Sequence, residues 1–203
     1  MDFALLRRYG IPVLDACVVR GPEAALSGAK KIRYPVALKL ISQKFLHKTD
    51  SGALALNIGN ERHLRSEYER LMKMARGDSQ ASILVQAYRP ARFELIVGGR
   101  TDPQFGPILM LGTGGIYTEV LRDISIRICP LDVREARSMI HALKSYPILA
   151  GARGRKPVDE KALVRILMSV SSLMEKEAPA ELDLNPVMVR DDGLWVADVR
   201  VLK

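Results

Sequence analysis

Two strand-like runs near the C-terminus flank Asp191-Asp192-Gly193, and this Asp-Gly turn signal commits the end of the chain to a β-hairpin. The first run is Glu181-Leu-Asp183-Leu-Asn185-Pro186-Val187, and the second leads into Ala197-Asp198-Val199-Arg200. Alternate residues of a strand share a face, so Asp183 and Asn185 point the same way, and the returning strand can bring Asp198 opposite them. Three oxygen donors then converge, two of them anionic. Hard oxygen ligands of this kind suit Mg²⁺ or Mn²⁺ held mainly through substrate phosphates. Turn chemistry is a second reading of the same residues, because Asp-Gly and Asn-Pro also punctuate loops.

Periodicity organises the remainder as α+β with two mixed layers. A short helix over Asp2 to Tyr9 ends at Gly10. A strand within Val13 to Arg20, a helix over Pro22 to Lys31 and a buried strand over Val36 to Leu40 follow. After the loop Ile41 to Asp50 comes a strand over Ala53 to Ile58. Asn60 then caps a helix through Arg76 whose apolar stripe is Leu64, Tyr68, Leu71 and Ala75. Ser82 to Ala87 reads as a strand. Arg89-Pro90-Ala91-Arg92 is a break, and the expected hinge lies near residue 88. Strands are expected over Phe93 to Val97, Gly106 to Leu111, Ile116 to Leu121 and Ser125 to Cys129, and helices over Asp132 to Lys144 and Val158 to Lys176.

Composition narrows the function classes. No apolar run approaches membrane-spanning length, and charge interrupts the first ten residues, which argues against a signal peptide. Cys17 and Cys129 lie far apart in apolar surroundings and read as packed thiols, so a reducing cytoplasm is expected. The net charge is +8, and residues 1 to 101 carry 17 Lys and Arg against 9 Asp and Glu, whereas the remaining residues are balanced. One reading is a polyanion site with its cationic wall in the first half. The other is a solvated basic face, since Arg62, Arg65, Arg70, Lys73 and Arg76 fall on the outer side of one helix. Aromatics make up only 5% and no dense basic stripe interleaves with them, which argues against nucleic-acid binding.

Nucleotide motifs are partly absent. There is no Gly-x4-Gly-Lys-Ser/Thr, and Gly112-Thr-Gly114-Gly115 is too compressed for a dinucleotide turn. Lys39 closes an otherwise apolar strand, where an ammonium is costly unless paired. A phosphate would pair it, and snorkelling to the strand end is the other solution. His47-Lys48-Thr49-Asp50 occupies the following loop. An imidazole steadied through its other ring nitrogen can attack a phosphoryl group, although most loop histidines simply meet solvent.

Taken in order, Lys39, His47-Lys-Thr-Asp50, Glu94-Leu-Ile-Val-Gly98, Asp102-Pro-Gln-Phe-Gly-Pro107, Gly112-Thr-Gly-Gly-Ile116 with Glu119, Tyr146-Pro-Ile-Leu-Ala-Gly-Ala-Arg-Gly154 and Glu181-Leu-Asp-Leu-Asn-Pro186 follow the pattern of NDP-forming acyl-CoA synthetases. From about Leu5 onward the chain closely resembles the ATP-grasp beta subunit of ADP-forming acetyl-CoA synthetase, and more distantly that of succinyl-CoA synthetase. It departs from the pattern at Ser51-Gly52-Ala53, where two glycines are usual, and it lacks a stretch before the first helix.

The resemblance implies an ATP-grasp fold in which a nucleotide is clasped between two lobes. The smaller lobe would be residues 11 to 87, and the larger 88 to 203 together with the N-terminal helix 1 to 10. By the same resemblance Lys39 and Lys48 hold phosphates, Val85-Gln86-Ala87 meets adenine through its backbone, and Glu94 lies near ribose or phosphates. Asp183, Asn185 and Asp198 match Mg²⁺ ligands, and His47 relays phosphate from a partner's phosphohistidine to ADP. Gly114, Gly115, Glu119 and Arg153 would receive the incoming phosphohistidine loop. The implied reaction interconverts acyl-CoA, ADP and phosphate with free acid, ATP and CoA. The implied partner is a CoA-binding alpha-type subunit in an α2β2 assembly. Two other readings are the same domain within a fused or regulatory acyltransferase, and a basic nucleic-acid-binding or adaptor protein reusing the fold.

Overall fold

The computed structural model describes residues 2–42, 52–115 and 123–203. The chain divides into two compact units, Leu14–Arg89 and Met1–Val13 together with Pro90–Lys203.

The first unit is a four-stranded antiparallel sheet with two helices on one face. Its strands are β1 (Ala16–Val19), β2 (Val36–Ile41), β3 (Leu54–Ile58) and β4 (Ser82–Ala87), in the order β1-β4-β2-β3. Helix α2 (Pro22–Ile32) starts at a proline whose missing N–H costs nothing there. Helix α3 (Glu61–Met74) starts where the Asn60 side chain accepts the His63 N–H at 2.9 Å. Leu64, Tyr68, Leu71 and Ala75 are buried against Val36, Leu38, Leu40, Ile83 and Val85, so the helical stripe and alternate strand residues close one core. Arg62, Arg65, Arg70, Lys73 and Arg76 are exposed, which assigns that part of the positive charge to a solvated helix face.

In the second unit five strands run in the order β10-β8-β5-β6-β7, with β9 paired to β8. They are β5 (Phe93–Asp102), β6 (Gly106–Thr113), β7 (Ile124–Ile128), β8 (Glu181–Arg190), β9 (Gly193–Val196) and β10 (Val199–Leu202). Helix α1 (Phe3–Arg8) belongs to this unit through buried Phe3 and Leu6. Helices α4 (Val133–His141), α5 (Tyr146–Leu149) and α6 (Glu160–Glu177) complete it. Leu163, Ile166, Leu167, Val170 and Met174 of α6 are fully or nearly fully buried. On the facing strands Leu95, Val97, Leu109, Leu111, Leu182 and Leu184 are buried, so odd positions of β5 and β6 turn inward and even positions outward.

Three expectations are adjusted. β5 continues five residues past Val97, because Gly98 and Gly99 pair on both flanks, with Met110 and Leu109 of β6 and with Asp183 and Leu182 of β8. The helix expected to reach Lys144 stops at His141, because the Lys144 and Ser145 N–H groups donate to the Asp123 carboxylate instead of to carbonyls one turn back. The short helix α5 then follows, in a stretch read only as a motif. The strand expected over Ile116 to Leu121 lies outside the described residues. Among those residues no helix is long and apolar enough to cross a membrane.

Helix α2 lies so close to β1 that a Cβ on Gly28 would sit 2.6 Å from the Cys17 Sγ. Ala is favoured over Gly in a helix by about 1 kcal/mol, but overpacking costs about 1–3 kcal/mol. Gly28→Ala is therefore expected to destabilise the protein in urea unfolding, and adding Cys17→Ala should return part of that loss. Equal or greater loss in the double variant would refute this packing account.

Candidate functional site

β8 carries the densest set of oxygen donors, and its alternation changes phase in the middle. Leu182 and Leu184 face the core, as do Val187 and Val189, so two residues rather than one separate Leu184 from the next inward side chain. The irregularity falls at Asn185-Pro186. Opposite it the β5 register skips Ile96, and on the other flank β9 ends at Val196 before β10 begins at Val199. Two backbone bonds hold the paired breaks together, from the Asn185 N–H to the Asp198 carbonyl at 3.3 Å and from the Ala197 N–H to the Pro186 carbonyl at 3.0 Å. Asn185 and Asp198 thus stand across from each other, with Asp183 two residues along on the outward face. The Asp198 carboxylate also accepts the Val199 N–H at 2.8 Å.

Burial, reinforced by the charges of Glu181 and Asp198, pushes the Asp183 carboxyl above the usual carboxylate range. A cation beside these groups would relieve that strain. Two carboxylates and an amide are hard donors, and among the described residues no three His, Cys, Asp or Glu side chains gather as a self-sufficient metal cage. This incomplete oxygen set fits Mg²⁺, which keeps waters and substrate phosphates as its remaining ligands. Beside it, on the outward face of the sheet, runs a groove of about 870 Å³ lined by Ile96, Gly98, Met110, Ile126, Asp183 and Asn185. Its lining combines apolar Ile96, Ile108, Met110 and Ile126 with the oxygen donors of Glu181, Asp183 and Asn185 and the guanidinium of Arg100.

The same sheet joins Glu94 to the glycine turn. The Gly114 N–H donates to the Glu94 carbonyl at 2.7 Å, and a Cβ on Gly114 would meet the Glu94 Cβ at 3.0 Å. Gly115, at φ +70°, lies against the carboxylate itself, and a Cβ there would be 3.3 Å from Oε2. Burial raises the Glu94 carboxyl above its ordinary pKa. Arg153 sits in a single turn between Gly151 and Gly154, with φ 57° and ψ 37°. A non-glycine residue in this left-handed region costs free energy that a glycine would not, and such strain clusters at functional positions. Glu119 lies outside the described residues.

In the first unit Lys39 is 8% exposed in β2, paired with Leu84 and Leu54. Its neighbours Leu38 and Leu40 enter the helix-side core, so Lys39 takes the opposite face. Gln86, 1% exposed, shares that face through its pairing with Ala37. The expected adenine contact, the Val85-Gln86-Ala87 backbone, falls on β4 (Ser82–Ala87). Val85 and Gln86 are paired on both flanks, to β1 and to β2, and the Ala87 N–H donates to the Asp15 carbonyl at 2.8 Å. These backbone donors bond within the first unit, and the Gln86 side chain lies on the sheet face it shares with Lys39. His47 and Lys48 fall outside the described residues. Sequence reasoning missed Asp123, a buried carboxylate marked by no motif, because its partners at Thr113, Lys144 and Ser145 are distant in the chain.

Residues 2–202 match the family model described as ATP-grasp domain. The beta subunit of ADP-forming acetate–CoA ligase I from Pyrococcus furiosus is 38% identical over 203 residues, covering 98% of this chain and 88% of that protein. ADP-forming acetate–CoA ligase I of Archaeoglobus fulgidus is 40% identical over 98% of this chain but only 30% of its own length. Among solved structures, the dinucleotide forming acetyl-coenzyme A synthetase 1 of Ca. Korarchaeum cryptofilum is similar in two complexes. With coenzyme A, Ca-AMPCP and HgCl+ it has a TM-score of 0.92 at 36% identity, over 98% of this chain and 90% of that one. With coenzyme A and Mg-AMPPCP, its phosphohistidine segment pointing towards the nucleotide binding site, the TM-score is 0.85 at 37% identity, over 97% and 87%.

A carboxyl whose folded pKa is raised stabilises the fold below its unfolded value, about 4.3 for Glu. That contribution is lost as pH rises through the folded value. Glu94 is in this position. In denaturant unfolding from about pH 4 to about pH 7, Glu94→Gln is therefore expected to gain stability relative to wild type as pH rises. A difference that stays constant across the range would show that Glu94 is not desolvated in the folded protein.

Proposed function

The chain belongs to the ATP-grasp domain family, and on that premise we propose that it is the nucleotide-binding catalytic subunit of an ADP-forming acyl-CoA synthetase. It would interconvert acyl-CoA, ADP and phosphate with free acid, ATP and CoA, passing phosphate through histidine. The observation that carries this reading is the opposition of Asn185 and Asp198 at the paired strand breaks, beside Asp183 and the open groove. Lengthwise similarity to a named beta subunit supports it.

In this reading Asp183, Asn185 and Asp198 would hold Mg²⁺. Bound there, Mg²⁺ would supply positive charge to a polyphosphate that gains negative charge in transfer. In the first unit Lys39 pairs with phosphate oxygens from its buried strand position, and Lys48 adds a second ammonium. Both offset the repulsion that opposes attack on a phosphoryl group. Glu94 bears on the ribose or phosphates and packs beneath Gly114 and Gly115.

His47 is assigned the relay. Its imidazole nitrogen attacks phosphorus, the P–N bond to the partner's histidine breaks as the new one forms, and the β-phosphate oxygen of ADP then displaces His47 to give ATP. Such a relay suits acyl-CoA and nucleotide sites that lie far apart. The partner is a CoA-binding alpha-type subunit, and an α2β2 assembly is part of the proposal. The beta-subunit name of the Pyrococcus relative supports a separate partner, while the Archaeoglobus relative has the matching sequence within a longer polypeptide. A cytoplasmic setting belongs to the same proposal, supported by the two free thiols of Cys17 and Cys129.

Two substitutions test the assignment. Asp198→Ala should lower turnover with the partner by about 10²-fold or more, the scale of one lost charge-stabilising group, with a smaller loss of nucleotide affinity by calorimetry. A folded, fully active Asp198→Ala protein would sink the metal assignment. His47→Asn deletes the nucleophile at similar size, so nucleotide binding should survive while acid-labile, base-stable phosphate from labelled ATP disappears from the subunit. Equal labelling of the variant and wild type would remove His47 from the relay.

A further inference from the structure

Asp123 is 4% exposed, yet its carboxylate is fully engaged. Oδ1 accepts the Lys144 N–H at 2.7 Å, and Oδ2 accepts the Ser145 N–H at 2.8 Å and the Thr113 hydroxyl at 3.3 Å. Its carbonyl oxygen accepts the Thr113 N–H at 3.1 Å and lies 3.2 Å from where a Cβ on Gly112 would be. Burial alone would raise the carboxyl, but hydrogen bonds from Ser145, Lys144 and Thr113 outweigh it and hold the group below its ordinary pKa. The side chain is thus an anion in the core, accepting from two distant stretches of chain.

Those stretches are specific. Thr113 precedes Gly114 and Gly115 at the end of β6, and Ser145 immediately precedes α5, which leads to Arg153. The Val158 N–H donates to the Leu149 carbonyl at 2.8 Å, closing the loop that presents Arg153. The root of that loop and the root of the glycine turn are therefore fastened to one carboxylate. Only a carboxylate serves here, because both oxygens face N–H donors and an amide would set its own N–H against one of them.

We infer that Asp123 is a positioning residue for phosphoryl transfer, fixing the Gly114-Gly115 turn relative to the Arg153 loop so that both can receive the partner's histidine segment. This rests on the functional reading above. It predicts that loss of Asp123 acts on productive encounter with the partner and not on the nucleotide.

The test uses the full chain with its alpha-type partner and compares wild type, Asp123→Asn, the milder Thr113→Val, and Val170→Ala as a control that loosens the α6 core elsewhere. Amide hydrogen exchange should rise in Asp123→Asn over both 112–115 and 144–155 and leave α3 of the first unit unchanged. The partner concentration giving half-maximal turnover should rise about tenfold or more, the range seen when a supporting hydrogen-bond partner is removed. Mg-ADP affinity should stay within about twofold, Thr113→Val should show a smaller effect of the same kind, and Val170→Ala should lower the melting temperature without raising the partner requirement. Unchanged exchange in either segment, a parallel loss of nucleotide affinity, or an equal partner defect in Val170→Ala would overturn the role of Asp123. A wild-type pair that binds nucleotide but makes no acyl-CoA would instead overturn the functional reading, while the exchange data would still decide whether Asp123 couples the two segments.

Discussion

The second unit depends on β8 changing phase in its middle while its neighbours follow, β5 by a one-residue shift of register and the other flank by the gap between β9 and β10. If alternation ran unbroken past Asn185, Val187 and Val189 would turn outward, at about 1.5–3 kcal/mol for each apolar side chain left in water. Backbone bonds disturbed at a bulge are worth only about 0.5–1.5 kcal/mol each. Burial therefore wins, and the strand accepts an irregularity at Asn185-Pro186 that β5 and the β9-β10 pair must both match. The outward oxygen donors gather at the point where regular pairing lapses. The structural compromise and the candidate site coincide.

From this follows the division of labour across the sheet. The inward face is closed by α6, whose Leu163, Ile166, Leu167, Val170 and Met174 are buried. The outward face carries the groove with Ile96, Gly98 and Met110 beside Asp183 and Asn185. Glu94 takes up the turn at Gly114, whose missing Cβ leaves room for its N–H to approach the Glu94 carbonyl closely. Asp123 extends the same logic to the helical side, since it ends α4 and anchors the turn before α5 with one charged group. Desolvation raises Glu94 and, with the charges of Glu181 and Asp198, Asp183, whereas it loses to hydrogen bonding at Asp123.

In the first unit the chemistry is simpler. Lys39 and Gln86 share the sheet face opposite the helices, on strands whose other residues form the core. At 8% exposure the Lys39 ammonium has lost most of its hydration, which its surroundings must compensate. The concentration of positive charge in the first half of the chain has two origins. Lys39 belongs to a strand interior, whereas the arginines of α3 are exposed and face solvent.

Much of the local structure was legible in the sequence because it depends on near neighbours. The Asn60 cap, the stripe at Leu64, Tyr68 and Leu71, and the turn at Asp191-Asp192-Gly193 follow from spacing of a few residues, and the turn with strand alternation suffices to set Asp198 across from Asn185. What spacing cannot convey is which donors meet across the fold. The phase change at Asn185-Pro186 was hidden because Met188 is as apolar as Val187, and only burial in the tertiary fold chooses between them. That β4 lies between β1 and β2 is likewise a matter of long-range pairing. Asp123 carried no signal at all, since its three partners lie 10, 21 and 22 residues away. Sequence by itself determined the elements, their apolar faces and the motifs they carry, because these arise from short-range sterics and periodicity. Tertiary structure alone decided register, the length of β5, the end of α4 and the meeting of Glu94 with the glycine turn, because each is a competition among burial and hydrogen bonds whose partners are distant in the chain.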